Sequence, residues 1–165
     1  MVARKDGESA RTVVRKTSPR EVVVTRTFNA PARLVFEAWS RPELFRQWWL
    51  PRSMGMTLRS CEMDVRSGGK YRLVFGDDAA TAMAFFGTYL EVVPERRIVW
   101  TNEEGGEAGS VTAVTLEERD GRTLLILREL YPSAAALDAA GTGAQDAMTE
   151  TFVQLDTLLA ELAAR

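Results

Sequence analysis

The apolar and polar positions change period three times along the chain, from two to about three and a half, back to two, and again to three and a half. From Glu21 to Phe28 the text EVVVTRTF is β-branched and aromatic, which predicts a strand. Asn29-Ala30-Pro31 interrupts it, and Pro31, with φ already near the helical value, suits the first turn of a helix whose apolar face is Leu34, Val35, Ala38 and Trp39. Ser40-Arg41-Pro42-Glu43 has the spacing of a capping box, predicting a second short helix through Leu44, Phe45 and Trp48.

The middle of the chain divides into strand-like runs: Met56 to Arg66, Lys70 to Phe75, Ala82 to Val93, Arg97 to Asn102, Ser110 to Glu118 and Arg122 to Tyr131. The dividers are Ser67-Gly68-Gly69, Asp77-Asp78, Pro94-Glu95, Glu104-Gly105-Gly106 and Asp120-Gly121. Connections this short favour an antiparallel meander. Tyr71, Leu73 and Phe75 share one face of their strand, whereas Phe85-Phe86 and Val92-Val93 spoil the alternation in 82–93 and leave its facing open, as a bulge would.

A last helix follows, capped at Thr142-Gly143-Ala144-Gln145, with Ala144, Ala147, Met148, Phe152, Leu155, Leu158, Leu159 and Leu162 on one stripe. About 20 residues span roughly 30 Å, enough to cross a sheet. Gln145, Asp146, Thr149, Glu150, Gln154, Asp156 and Glu161 are expected on its wet face. The order predicts an α+β fold: a seven-stranded curved antiparallel sheet wrapped around a long C-terminal helix, with two short helices after the first strand and every helix on one side. A sheet of that width curls, and a helix laid across its hollow leaves volume for side chains or a ligand.

Residues 1–19 are highly charged and aperiodic, and are expected to form a flexible arm before a single domain over 20–165. With 21 basic and 23 acidic side chains and a net charge of −2, the chain lacks the basic excess of a nucleic-acid binder. There is no histidine, which removes the commonest general base and metal ligand, and Cys61 is the one cysteine, so no internal disulfide can form. No ligand spacing for a metal is present, no cofactor is expected, and Gly68-Gly69 and Gly105-Gly106 read as hairpin turns rather than phosphate loops. No apolar run reaches membrane-spanning length and Met1 to Thr17 holds no apolar leader segment, so the expectation is a cytoplasmic protein with no membrane or nucleic-acid partner, monomeric or homodimeric.

Several segments in this order resemble the SRPBCC or START-like superfamily, which has the helix-grip fold, and within it the activator of heat-shock-protein-90 ATPase homologue-like proteins. They are Phe28-Asn29-Ala30-Pro31, Trp48-Trp49-Leu50-Pro51, Cys61 to Gly69 (CEMDVRSGG), Gly87 to Arg96 (GTYLEVVPER), Leu130-Tyr131-Pro132-Ser133 and Thr149 to Asp156 (TETFVQLD). The likeness extends from about Val22 to Leu162. Two departures stand out: Leu50 replaces a glycine usual in the family, and Gly143-Ala144-Gln145-Asp146-Ala147-Met148 places Ala144 where a methionine is frequent, near the expected cavity. The resemblance implies a START-like domain that binds a small apolar or aromatic, lipid- or polyketide-like molecule between sheet and C-terminal helix.

The aromatic and thioether set Trp39, Trp48, Trp49, Met54, Met63, Tyr71, Leu73, Phe75, Met83, Phe85, Trp100, Met148, Phe152 and Leu155 supplies the candidate cavity wall, because flexible thioethers and ring faces accept varied apolar shapes. The same residues read equally well as plain core, and the resemblance is what favours a cavity. For catalysis the possible actors are Glu62, Asp64, Glu91, Glu129, Tyr71, Tyr89 and Tyr131. Glu62 and Asp64 share a strand face that suits solvent, and Arg128-Glu129 suits cross-strand pairing, with the alternative that one head group reaches the cavity as a polar anchor. A small-molecule binding protein without catalytic residues is the leading expectation, and a cofactor-free cyclase or hydrolase of a polyketide-like substrate is the alternative. A co-chaperone role is disfavoured, since a 19-residue arm is too short to stand in for the additional N-terminal domain of the eukaryotic activators.

Overall fold

In the computed structural model, which describes residues 11–76, 78–104, 106 and 109–165, the β-rich text folds as one antiparallel sheet of eight strands. In chain order they are β1 (Val13–Ser18), β2 (Glu21–Phe28), β3 (Leu58–Met63), β4 (Lys70–Phe75), β5 (Met83–Val93), β6 (Arg97–Thr101), β7 (Val111–Arg119) and β8 (Arg122–Leu130). Their spatial order is β1-β2-β8-β7-β6-β5-β4-β3, so β3 to β8 form the expected meander and β2 closes on its last strand, Val24 opposite Leu127. At the β7–β8 hairpin Asp120 (φ 55°) and Gly121 (φ 77°) both take the left-handed conformation that a two-residue turn of this twist requires.

The expected count of seven strands is corrected by β1, which lies inside the segment read as an arm. Val13 and Val14 pair with Thr25 and Val24, and Val14 packs against the core, while Arg15 and Lys16 reach solvent. An edge strand has one neighbour and can keep a charged outer face, so its text resembles a solvated tail. Residues 1–10 of the expected arm lie outside the described residues.

The helices are α1 (Ala32–Ser40), α2 (Pro42–Phe45), α3 (Ala134–Ala140) and α4 (Gly143–Ala163). Ser40 does not cap α2: it ends α1, its hydroxyl donating to Phe36 O at 2.7 Å, and Pro42 starts α2. The short α3, not anticipated from its alanine-rich text, is capped by Ser133, whose Oγ accepts from Ala136 N at 3.0 Å.

The C-terminal half of α4 anchors the core. Phe152, Leu155, Leu158 and Leu159 are buried in one cluster with Val24, Phe28, Leu125 and Leu127, and the Phe152 and Phe28 rings meet edge to face at 5.5 Å. Asp156 of α4 forms an ion pair with Arg26, a buried residue of β2 whose guanidinium also lies 5.6 Å from the Phe28 ring centre. Gln145 and Gln154, expected on the wet face, are buried because each has polar partners beneath the helix.

If β1 is a working edge strand, a chain beginning at Arg20 is expected to lose about 2 kcal/mol relative to one beginning at Arg11, about 4–8 °C in Tm. It should also self-associate through the bared β2 edge. Thermal melting with light scattering checks both, and coincident melts with equal scattering would show that β1 is dispensable.

Candidate functional site

The concave side of the sheet is not filled by the helices. A cavity of about 350 Å³ remains between β3–β8, α1, the Phe45–Trp49 segment and the N-terminal half of α4. Strand alternation supplies one wall: Tyr71 and Leu73 from β4, Ile98 and Trp100 from β6, and Phe85 and Tyr89 from β5, with Met63 from β3. On β5, Phe86 and Leu90 turn to solvent and the register slips between Tyr89 and Glu91, so a bulge resolves the facing of this strand. Gly87 lies opposite Tyr71, and a Cβ there would stand 1.9 Å from Thr101 O and 3.0 Å from the Tyr71 ring. Its bareness lets the two strands close up while the Tyr71 hydroxyl donates to Thr101 O at 2.8 Å.

The helices and the loop after α2 form the opposite wall: Trp39, Phe45, Trp49 and Met148. Trp39 sits 5.8 Å from both Trp49 and Trp100, and Phe45 stacks on Trp49 at 4.7 Å, so each ring is held by another. The segment bearing Trp49 is fixed from α4. Gln154 Nε2 donates to Trp48 O at 3.0 Å and Leu50 O at 2.9 Å, while its Oε1 accepts from Arg52 N at 2.9 Å. One side chain thus satisfies three backbone groups between the end of α2 and the 3₁₀ turn that follows.

One end of the cavity is polar. Glu129 accepts from Ser110 Oγ at 2.6 Å and from Gln145 Nε2 at 2.7 Å, and the same amide nitrogen lies 3.1 Å from Tyr131 Oη. Asn102 Nδ2 donates to Ser110 Oγ at 3.0 Å and Thr112 Oγ1 at 2.9 Å, joining β6, β7 and β8. Glu104, Ala140 and Ala144 are the exposed lining residues and mark the mouth, between the β6–β7 connection and the start of α4.

Burial is the main cause that pushes the phenols of Tyr71, Tyr89 and Tyr131 above their usual range. The negative charges of Glu104 and Glu129 add to the effect at Tyr71. All three are therefore neutral hydroxyls near pH 7, able to donate a hydrogen bond and unable to serve as bases.

Of the residues named from sequence, Trp39, Trp49, Met63, Tyr71, Leu73, Phe85, Trp100 and Met148 line this space. The others lie elsewhere. Trp48 is fully buried with its indole N–H on Ala38 O at 2.9 Å, Phe75 packs on Phe85 at the far end of β4, and Phe152 and Leu155 form the helix–sheet core. Met54, in a single 3₁₀ turn, and Met83, at the start of β5, are 51% and 50% exposed, because both fall where regular structure begins or ends. Glu62, Asp64 and Glu91 are exposed, the last two paired with Arg66 and Arg97. Arg128 pairs outward with Glu21, and its neighbour Glu129 points in.

Sequence reasoning missed Asn102, Ser110 and Thr112 and left Glu129 undecided. The signal was present: the inward positions of β8 run Thr123, Leu125, Leu127, and the same period continues to Glu129 and Tyr131.

Residues 29–160 match the family described as Activator of Hsp90 ATPase homolog 1-like protein. No curated protein matches in sequence. Among solved structures, a crystal structure of a Rhodobacter sphaeroides protein superposes with a TM-score of 0.81 at 23% identity, covering 92% of this chain and 99% of that one. A Nitrosomonas europaea protein gives 0.78 at 21% identity, covering 91% and 100%, and a Chromobacterium violaceum protein 0.69 at 28%, covering 86% and 98%. These likenesses show the fold.

The phenols carry a consequence for stability at alkaline pH. Each group is raised in the folded state, so the unfolded chain ionises first, at its ordinary value of 10.0, and binds fewer protons than the native one above that pH. Stability should be fully present below about pH 10 and fall as pH rises beyond it. Tyrosinate absorbance near 295 nm should rise only together with loss of the near-ultraviolet circular dichroism of the folded state. A free titration centred on pH 10 in a folded protein would contradict the burial of all three.

Proposed function

The chain belongs to the Activator of Hsp90 ATPase homolog 1-like family of START-like proteins, and we propose that it is a small-molecule binding protein that sequesters or carries an apolar or aromatic, lipid- or polyketide-like ligand in the sheet–helix cavity. The observation that carries this reading is the cavity itself: about 350 Å³ walled by rings and thioethers and bearing a joined set of polar side chains at one end. Ligand pockets span about 300–1,000 Å³ and combine apolar walls with a few placed polar groups. At the small end of that range the space suits a compact ring system or a short chain.

Binding is favoured over catalysis by what the polar groups are. The three tyrosines are neutral donors, and Glu62, Asp64 and Glu91 stand in solvent, away from the cavity. Glu129 has no second inward carboxylate bonded to it among the described residues, so the pairing used by acid–base hydrolases is not assembled around it. The reading requires no cofactor, and the proposal takes the protein to be cytoplasmic and a monomer or homodimer. Among the described residues no helix is long and apolar enough to cross a membrane.

Trp39, Trp49 and Trp100 line the cavity, so titration with naphthalene derivatives should change tryptophan emission saturably. Ala144→Phe, at an exposed lining position of the mouth, should weaken that response at least tenfold with little change in Tm. An unsaturable response in the unaltered protein, or equal affinity in the variant, would count against the cavity as the binding site.

A further inference from the structure

The geometry points to a cationic ligand: we propose that the cavity takes an apolar amine whose ammonium group is received by Glu129 and whose ring or chain lies along the aromatic wall. The inference rests on the cavity being a binding site and specifies which molecules enter it.

Charge decides the class. Among the described residues the lining includes two carboxylates, Glu129 inside and Glu104 at the mouth, and no lysine or arginine. The basic residues that adjoin lining positions in sequence are engaged or turned elsewhere: Arg128 pairs with Glu21 at 3.5 Å, Arg97 with Glu91 at 2.5 Å, Arg46 donates to Leu58 O at 3.1 Å, and Lys70 and Arg72 line a separate pocket with Glu62 and Glu103. A ligand carboxylate or phosphate would therefore give up its water without a countercharge and meet Glu129 as well. An ammonium gains on both counts.

Glu129 is also built as an acceptor. Each of its oxygens takes one hydrogen bond from a neutral donor, Ser110 on Oε2 at 2.6 Å and Gln145 on Oε1 at 2.7 Å. A carboxylate has about four lone-pair sites, so with these two bonds and the Tyr131 hydroxyl, which also bonds Glu129, one remains for a donor arriving from the cavity. Those two bonds fix the head group before any ligand comes, which lowers the ordering cost of binding. Bonds between two charged groups are shorter and stronger than neutral ones, so an ammonium uses this position better than a hydroxyl.

The remaining walls suit the same class. Trp39, Trp49, Trp100, Tyr71 and Phe85 line the space with aromatic rings, whose faces are electron-rich. A cation near such faces is attracted by their electron density, and the attraction grows as water is excluded. The Tyr71 phenol is raised chiefly by burial, and Glu104 at the mouth adds to it, with smaller contributions from Tyr89, Glu103 and Glu129.

Three probes of one shape test it: 1-naphthylmethylamine, 1-naphthalenemethanol and 1-naphthoic acid, which at pH 7 are cation, neutral and anion. Isothermal titration calorimetry on the full chain should rank the amine at least tenfold tighter than the alcohol, with the acid weakest. Glu129→Gln keeps an acceptor and the shape of the head group, and should bring the amine to within threefold of the alcohol, with folding verified by circular dichroism. Acid or alcohol binding as tightly as the amine would overturn the cationic preference alone, as would an amine preference that survives Glu129→Gln. Failure of all three probes to bind would remove the binding function with it. The ranking in the unaltered protein decides the matter even if the variant does not fold.

Discussion

Everything in this protein depends on how unevenly α4 is seated. Its C-terminal half is driven onto β2 and β8 by Phe152, Leu155, Leu158 and Leu159, each at most 4% exposed, and is held there by Arg26 and Asp156. Its N-terminal half has no equivalent apolar anchor: Ala144 is exposed and Met148 only partly buried. A straight helix of 21 residues laid on a curled sheet can follow the surface along only part of its length. Where it follows, there is core; where it stands off, there is a cavity.

Polar groups keep that gap from collapsing. Gln154 holds the Trp48–Arg52 backbone to α4, Gln145 ties α4 to Glu129 and Tyr131 on the far side, and Asn102 binds β6 to β7. The network is not complete. Arg26 Nε, Trp39 Nε1 and Gln145 Oε1 are buried without a hydrogen-bond partner among the described residues, which costs about 1–3 kcal/mol for each such group. Trp39 shows what offsets the cost, since its ring lies within 6.4 Å of Phe45, Trp48, Trp49, Trp100 and Phe152. Burial of an indole among that many rings contributes more than one N–H forfeits.

The elements were legible wherever one face is buried and the other wet, because period alone then fixes the structure. Glu21–Phe28 and Lys70–Phe75 are bounded in the fold as their text predicts. β1 was hidden since an edge strand with Arg15 and Lys16 outward carries too little apolar pattern, and α3 since alanines mark no face. The cavity was legible as a class of residues rather than as a list. Trp48 and Trp49 are adjacent and chemically equal, yet one donates to Ala38 O in the core and the other lines the cavity, a difference set by how α2 turns into the following loop. The buried glutamines were unreadable in principle, because whether an amide on a helix meets water or a partner depends on what the rest of the chain brings beneath it.

The two departures from the family pattern now have separate meanings. Leu50 stands where glycine is usual, but among the described residues the non-glycine positions with positive φ are Glu95 and Asp120, so this loop needs no glycine conformation here. Leu50 instead packs partly against the core while its carbonyl accepts from Gln154. It stiffens the segment that carries Trp49. Ala144 stands where a methionine is frequent, at the mouth of the cavity, and a long thioether there would reach across the opening. One exchange thus adds packing behind a wall of the cavity, and the other puts a small side chain at its mouth, so the space is open in the structure as it stands.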